Sequence, residues 1–361
     1  MKRKNLDVYL LGVIGIVCII AAIITQSGPK ELVNCLEVPG STKLTKEQSS
    51  LIFNYSKKSP EGSELAISII QGDSVKYAGI RRQNDSLIYI NNSDRIFEIG
   101  SITKTFTGIL LAKMVREGKI ALNEPVKNLL PVKLKQSSLN GKEITVLHLA
   151  NHTSGLPRDL DNLNNNRTEY ENQEKNDDVK RLYDFLQNRC CLNSIPGEKW
   201  TYSNLGAEIL GHILTLVSNK SYEDLMNEGI TQPLDMKSTF ISFNDNYKKK
   251  LVYGRNAEGD IIGNDDIGIV GAGGIKSSAE DMVKYLNACL QDTSYFHLAE
   301  QGTFDVDEHN TTCLGWGYYK NNGLRFYGAF GATPGYTCGV IFEKTAKVGL
   351  VMLSNVSPNL S

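Results

Sequence analysis

Ser101 and Lys104 lie three residues apart in "RIFEIGSITKTFTGILLAKMV", residues 95–115, where a short polar turn gives way to an apolar run with helical spacing. A serine hydroxyl is a poor nucleophile until a neighbouring group takes its proton. Positions i and i+3 share one face of a helix, so the Lys104 amine is placed to contact the Ser101 hydroxyl. The unpaired N–H groups of a helix start also favour negative charge developing there. Attack on a carbonyl is the chemistry such a pair could perform. Spacing alone is weak evidence: Ser27 and Lys30 repeat it, and a helix-start serine followed by a solvated lysine is the commoner explanation.

Two later stretches alter that balance. In "PGEKWTYSNLGAEILGHIL", Tyr202-Ser203-Asn204 stands in front of a helical pattern about a hundred residues after Ser101. Tyr-x-Asn alone carries little information, since Tyr89, Tyr170, Tyr285 and Tyr319 each begin one. Its setting is what counts, with Pro196-Gly197 and Trp200 before it and Gly206 after it. Near the end, "YGAFGATPGYTCGVIFE" is a glycine-rich strand followed by "KVGLVMLSN".

Ser-x-x-Lys, then Tyr-x-Asn, then a glycine-rich strand is the order found in serine β-lactamases and penicillin-binding proteins. The chain most resembles class C β-lactamases and their relatives, the small D-alanyl-D-alanine peptidases and esterases. "EIGSITKTFTGILL", "ITVLHLANHTSGLP", "GAGGIKSSAEDMVKYL" and "VMLSNV" also look like that family, and the resemblance covers roughly residues 60 to 356. It implies that Ser101 is the nucleophile and that Lys104 holds positive charge beside it. Tyr202 is then the candidate general base, which requires its pKa to fall by ~3 units, or ~4 kcal/mol. Asn204 would orient Lys104 and the substrate amide. The backbone N–H groups of Ser101 and Ala332 would form the oxyanion hole, and Ala329, Phe330 and Gly331 would line the substrate strand. The implied substrate is a β-lactam or a cell-wall peptide ending in D-alanine. An esterase of the same fold, or a catalytically silent wall-binding protein, is the alternative.

Two departures stand out. Relatives carry Lys or His two residues before the strand glycine, and this chain has Ala329 there, which can neither carry charge nor donate a side-chain hydrogen bond. Arg325, four residues earlier, is a cation on the same strand. Relatives also continue into a helix that packs on the sheet, whereas "SNVSPNLS" ends at Ser361, so the resemblance implies less cover on one sheet face or a shortened protein.

The elements that must position these residues are legible in outline. "ELAISIIQGDSVKYAGIRR" reads as two strands around a Gly72-Asp73 hairpin, and "RIFEIG" as a third strand entering the Ser101 helix. From about 105 to 290 the pattern is mainly helical, and the tail returns to strands. Strands at both ends around a helical middle predict an α+β fold: an antiparallel sheet built from the two chain ends, flanked by helices, with an inserted helical subdomain. Residues 61–361 would form this catalytic domain, and 31–60 a linker and first helix. Residues 159–178, poor in apolar side chains, read as a solvated excursion.

With 361 residues the chain can bury an enzyme-sized core, and 39 Lys plus Arg against 40 Asp plus Glu gives no reason to expect a nucleic-acid partner. Residues 1–30 differ: Lys2, Arg3 and Lys4 precede the uncharged run Val8–Ile24, the pattern of a signal peptide or membrane anchor. This predicts an exported protein with membrane contact through that segment. Cys18 lies in the run; Cys35, Cys190, Cys191, Cys289, Cys313 and Cys338 remain, enough for three disulfides in an oxidising compartment. Nothing in the Cys and His spacing calls for a metal, and no cofactor is implied. His152 in "NHTSGLP" lacks the Gly-x-Ser-x-Gly nucleophile elbow of a Ser-His-Asp triad and reads as a turn residue. Glu280 and Asp281 read as first-turn acids of a capped helix, and Gly271–Gly274 as a tight turn, because no phosphate-loop Lys-Ser/Thr follows.

Overall fold

The protein is described by a computed structural model covering residues 33–36, 44–160, 176–262, 270–291 and 294–357. The basic-then-apolar segment lies outside the described residues, as does most of the 159–178 excursion. Among the described residues no helix is long and apolar enough to cross a membrane.

The two ends of the chain meet in one sheet. In chain order its first strands are β1 (Val33–Asn34), β2 (Glu64–Gln71), β3 (Ser74–Gln83) and β4 (Ser86–Ile90). β5 (Ile96–Glu98) and β8 (Lys276–Ser278) pair with each other outside it, as do β6 (Ser138–Leu139) and β7 (Lys142–Glu143). The last strands are β9 (Phe304–Asp305), β10 (Asn310–Thr312), β11 (Gly317–Asn321), β12 (Leu324–Thr333), β13 (Tyr336–Glu343) and β14 (Val348–Ser354). The sheet order is β1-β4-β3-β2-β14-β13-β12-β11-β10-β9, antiparallel except for the parallel β1–β4 pair. β2 pairs with β14 in the register Val351↔Ser68, which closes the N-terminal hairpin onto the C-terminal strands. β2 and β3 turn tightly at Gly72-Asp73, with Gly72 at φ +59°, as a two-residue hairpin requires.

Side chains alternate across this sheet. Ala66, Ile70, Val340, Phe342, Val351 and Leu353 enter the larger core with the helices, while Ile67, Ile69, Leu350 and Met352 enter a second core on the other face. Burial on both faces is why "ELAISIIQ" reads as a nearly continuous apolar run. Helix α1 (Lys46–Ser56) covers the second face with Ile52; its start is fixed by a capping box between Thr45 and Gln48. On the larger face lie α2 (Thr103–Arg116), α3 (Val146–Ala150), α4 (Asn176–Asp184), α5 (Asn204–Ser218) and α6 (Tyr222–Met226), then, after α7 (Asp245–Lys250), whose Tyr247 packs on a separate small cluster of Ile96, Phe240 and Leu251, α8 (Ala279–Leu290) and α9 (Ser294–Ala299). α2 is buried nearly all round, from Thr103 to Ala112, so it is the central strut of the helical part.

Several local readings change in the folded chain. Asn140-Gly141, both with positive φ, make the β6–β7 hairpin inside the stretch read as helical. Asp281 does more than complement a helix dipole: it is buried and accepts from Ser238 N at 2.6 Å and Thr239 Oγ1 at 3.0 Å, tying down that loop. The six described cysteines are free thiols, so the disulfides that their number permits are not formed.

One close backbone approach sets the site. Ser101 sits in a 3-10 turn, Gly100–Ile102, leading into α2. β12 runs against this turn so tightly that a Cβ at Gly331 would overlap the Ile99 carbonyl oxygen and lie 2.9 Å from Ser101 N. Gly100, at φ +51°, faces Ala332 in the same way. Gly331→Ala should therefore force backbone apart and lower unfolding free energy by about 3 kcal/mol in urea denaturation; a wild-type midpoint would show that the approach is not this tight.

Candidate active site

Ser101, Lys104, Tyr202 and Asn204 converge at one place, although a hundred residues separate the two pairs. The Lys104 Nζ contacts Ser101 Oγ at 2.9 Å, Asn204 Oδ1 at 2.8 Å and the Ala272 carbonyl at 2.7 Å. The Tyr202 hydroxyl donates to Ser101 Oγ at 2.7 Å. Ser101 is thus held from two sides, by an amine and by a phenol.

Each partner has a local reason to be there. Ser203 caps α5, its Oγ accepting from Gly206 N at 2.9 Å, so Asn204 opens the helix and faces α2. The segment after His152 is strapped to the same helix end: Ser203 Oγ donates to the Pro157 carbonyl at 2.6 Å, and Leu205 N donates to the Arg158 carbonyl at 3.1 Å. The Gly271–Gly274 region is a tight turn whose Ala272 carbonyl points at Lys104. Asn204 Nδ2 donates to Asp159 Oδ1 at 2.7 Å, which fixes the amide so that its oxygen faces Lys104.

The charges in this cluster are set mainly by burial. Lys104 is 4% exposed, and burial pushes its pKa from 10.5 down to about 7, against the opposing pull of Glu208 one helical turn beyond Asn204. Burial also pushes the Tyr202 phenol up, outweighing its hydrogen bond with Ser101. That is opposite to the fall that a tyrosinate base would need. Near neutrality the phenol keeps its proton, and the amine is the group poised to change charge. Two of the three Lys104 contacts, the Asn204 oxygen and the Ala272 carbonyl, can only accept. The third tetrahedral direction meets Ser101, presenting either an N–H or a lone pair. A neutral Lys104 can therefore take the Ser101 proton without moving.

His152 packs its ring 4.6 Å from that of Tyr202, and its Nδ1 accepts from Ser203 N at 3.2 Å. Burial holds its pKa down at about 3, so it is a neutral prop for the tyrosine, not a triad member. The backbone at Gly331-Ala332 lies against Gly100-Ser101, with the expected oxyanion donors on the two facing segments. Ala329 and Phe330 line the same cleft, of about 750 Å³, together with Trp200, Trp316, Tyr318 and Tyr319. Ala329 leaves this wall uncharged. Arg325 does not stand at the place of the missing cation: four residues of strand, about 13 Å, separate it from Ala329, and its guanidinium sits 5.3 Å from the Tyr318 ring centre. Sequence reading missed Ala272, Asp159 and Glu208. A backbone carbonyl has no sequence signal, and the two acids have none apart from the i, i+4 spacing of Asn204 and Glu208.

A family model described as Beta-lactamase matches residues 65–361. D-alanyl-D-alanine-carboxypeptidase/endopeptidase AmpH of Escherichia coli (strain K12) is 30% identical over 203 residues, covering 56% of this chain and 51% of that protein. The chain thus spans about half the length of this relative. The octameric penicillin-binding protein homologue from Pyrococcus abyssi superposes with a TM-score of 0.70 at 26% identity, over 85% of this chain and 72% of that one. Beta-lactamase/D-alanine carboxypeptidase from Yersinia pestis shares the fold, with a TM-score of 0.71 at 24% identity over 86% and 90% of the two chains. A match across nearly all of the described sheet and helices, joined to the Ser-Lys-Tyr-Asn cluster, places the chain in the Beta-lactamase family.

Proposed function

We propose that this protein is an exported serine hydrolase that forms an acyl-enzyme on Ser101 and acts on β-lactams or on cell-wall peptides ending in D-alanyl-D-alanine. The observation that carries this reading is the Ser101 hydroxyl held 2.9 Å from Lys104 Nζ and 2.7 Å from Tyr202 Oη. Export is supported by the Lys2-Arg3-Lys4 flank before the Val8–Ile24 apolar run.

In this mechanism neutral Lys104 takes the Ser101 proton as Oγ attacks the carbonyl carbon. The N–H groups of Ser101 and Ala332 stabilise the oxyanion. As the bond to the leaving nitrogen or oxygen breaks, Tyr202 gives that atom its proton, and the Lys104 ammonium returns one to the phenolate. Asn204, fixed by Asp159, keeps the amine aimed at Ser101. Water then hydrolyses the ester by the reverse proton path. A second reading, hydrolysis of simple esters, is favoured by the uncharged Ala329 and the aromatic cleft walls.

Intact-mass measurement after incubation with a penicillin and with an activated ester tests the reading. The wild type and Ser27→Ala should gain one acyl group and Ser101→Ala none; a wild type left unmodified by every acylating probe contradicts it. The pH dependence follows from Lys104. The base works when deprotonated, so the acylation rate should rise with pH through about 7 and then level off. Lys104→Arg, which cannot give up its proton, should lose about 10³-fold. A flat acylation rate between pH 5 and 9 would remove Lys104 from the base role.

A further inference from the structure

Ala329 leaves the β12 wall without a cation, but a cation that the proposed chemistry does not use lies beside Tyr202, which lines the cleft. Arg158 follows Pro157 in "SGLPRDL", and its backbone is pinned to the start of α5 by the Leu205 N–H. Its side chain is 61% exposed, and its guanidinium carbon lies 5.0 Å from the centre of the Tyr202 ring. One aromatic ring therefore separates a solvent-facing guanidinium from the hydroxyl that touches Ser101 Oγ. Asp159 engages it only weakly. Its Oδ1 is taken by Asn204, and its Oδ2 lies 3.5 Å from Arg158 Nε, beyond the ~2.8 Å of a charge-assisted hydrogen bond. Among the described residues the outer nitrogens of Arg158 make no hydrogen bond, which leaves the fork that binds carboxylates bidentately open.

We propose that Arg158 binds a carboxylate on the substrate a few bonds from the scissile carbonyl, supplying from the Tyr202 side of the cleft the charge that Ala329 cannot. The inference rests on acylation at Ser101 and narrows its substrate class to anionic amides, lactams or esters. It also accounts for how a cleft with an apolar β12 wall can accept them.

The test uses two depsipeptide esters that differ only in a free carboxylate or its methyl ester, turned over by the full chain. The wild type should prefer the free carboxylate in kcat/KM. In Arg158→Ala that preference should fall about tenfold or more, mainly through KM, and Arg158→Lys should keep an intermediate preference. Damage to the fold would lower both rates together and leave their ratio alone, so the ratio reads recognition. A ratio unchanged in Arg158→Ala, whether or not both rates fall, would mean that Arg158 does not read the carboxylate, and it overturns the proposal. So does a wild type that is acylated by both esters without preference, while acylation itself stands. Failure of both esters to acylate the wild type overturns the reading on which the proposal rests.

Discussion

Three oxygens surround the Lys104 amine, and the rest of the site depends on that coordination. An amine taken out of water loses hydration that only strong acceptors can replace. Here Asn204, Ala272 and Ser101 supply it. The replacement is incomplete, because the proton affinity of Lys104 falls from 10.5 to about 7. At 1.36 kcal/mol per unit this is about 5 kcal/mol of folding stability given up at neutral pH. The unfolded chain keeps the lysine proton up to about 10.5 and the folded chain only up to about 7, so the penalty is full below pH 7 and fades as pH rises between those values. A group held at that cost, beside a serine, is more readily explained by chemistry than by packing.

The fold spends its most rigid parts on this arrangement. α2 carries Lys104, with Ser101 in the turn that enters it, into the centre of the larger core, where Phe106, Ile109 and Leu111 are fully buried. α5 brings Asn204 in at its capped end, and the His152–Arg158 segment is bonded to that end. β12 approaches the Ser101 turn only because residues 100 and 331 lack side chains. Sites on such elements hold their geometry better than sites on loops. Tyr202, just before α5, is the less constrained member, and the ring of His152 supports it from below.

Much of this was readable before any coordinates. Ser101 and Lys104 share a helix face, a purely local relation that spacing reveals. A sheet shared by the two chain ends followed from strands at both ends, since the backbone groups of a buried strand must find a partner. The remainder was not local. Tyr202 could be chosen from five Tyr-x-Asn triplets only by its setting, and its protonation depends on burial, which spacing does not reveal. The Ala272 carbonyl reaches the amine, and Asp159 the Asn204 amide, across long stretches of chain, so no pattern marks them. The cysteine count permitted disulfides, but packing left four of the six described thiols buried in the cores without joining any of them.

The proposed chemistry depends on the charge of one amine. Lysine labelled with ¹³C at the ε carbon, assigned by the signal lost in Lys104→Met, reports the protonation of Lys104 directly through its chemical shift. The structure predicts a titration midpoint near 7 in the folded protein. A midpoint above about 9.5, close to that of an ordinary solvated lysine, would mean that Ser101 faces a permanent cation and that some other group must accept its proton.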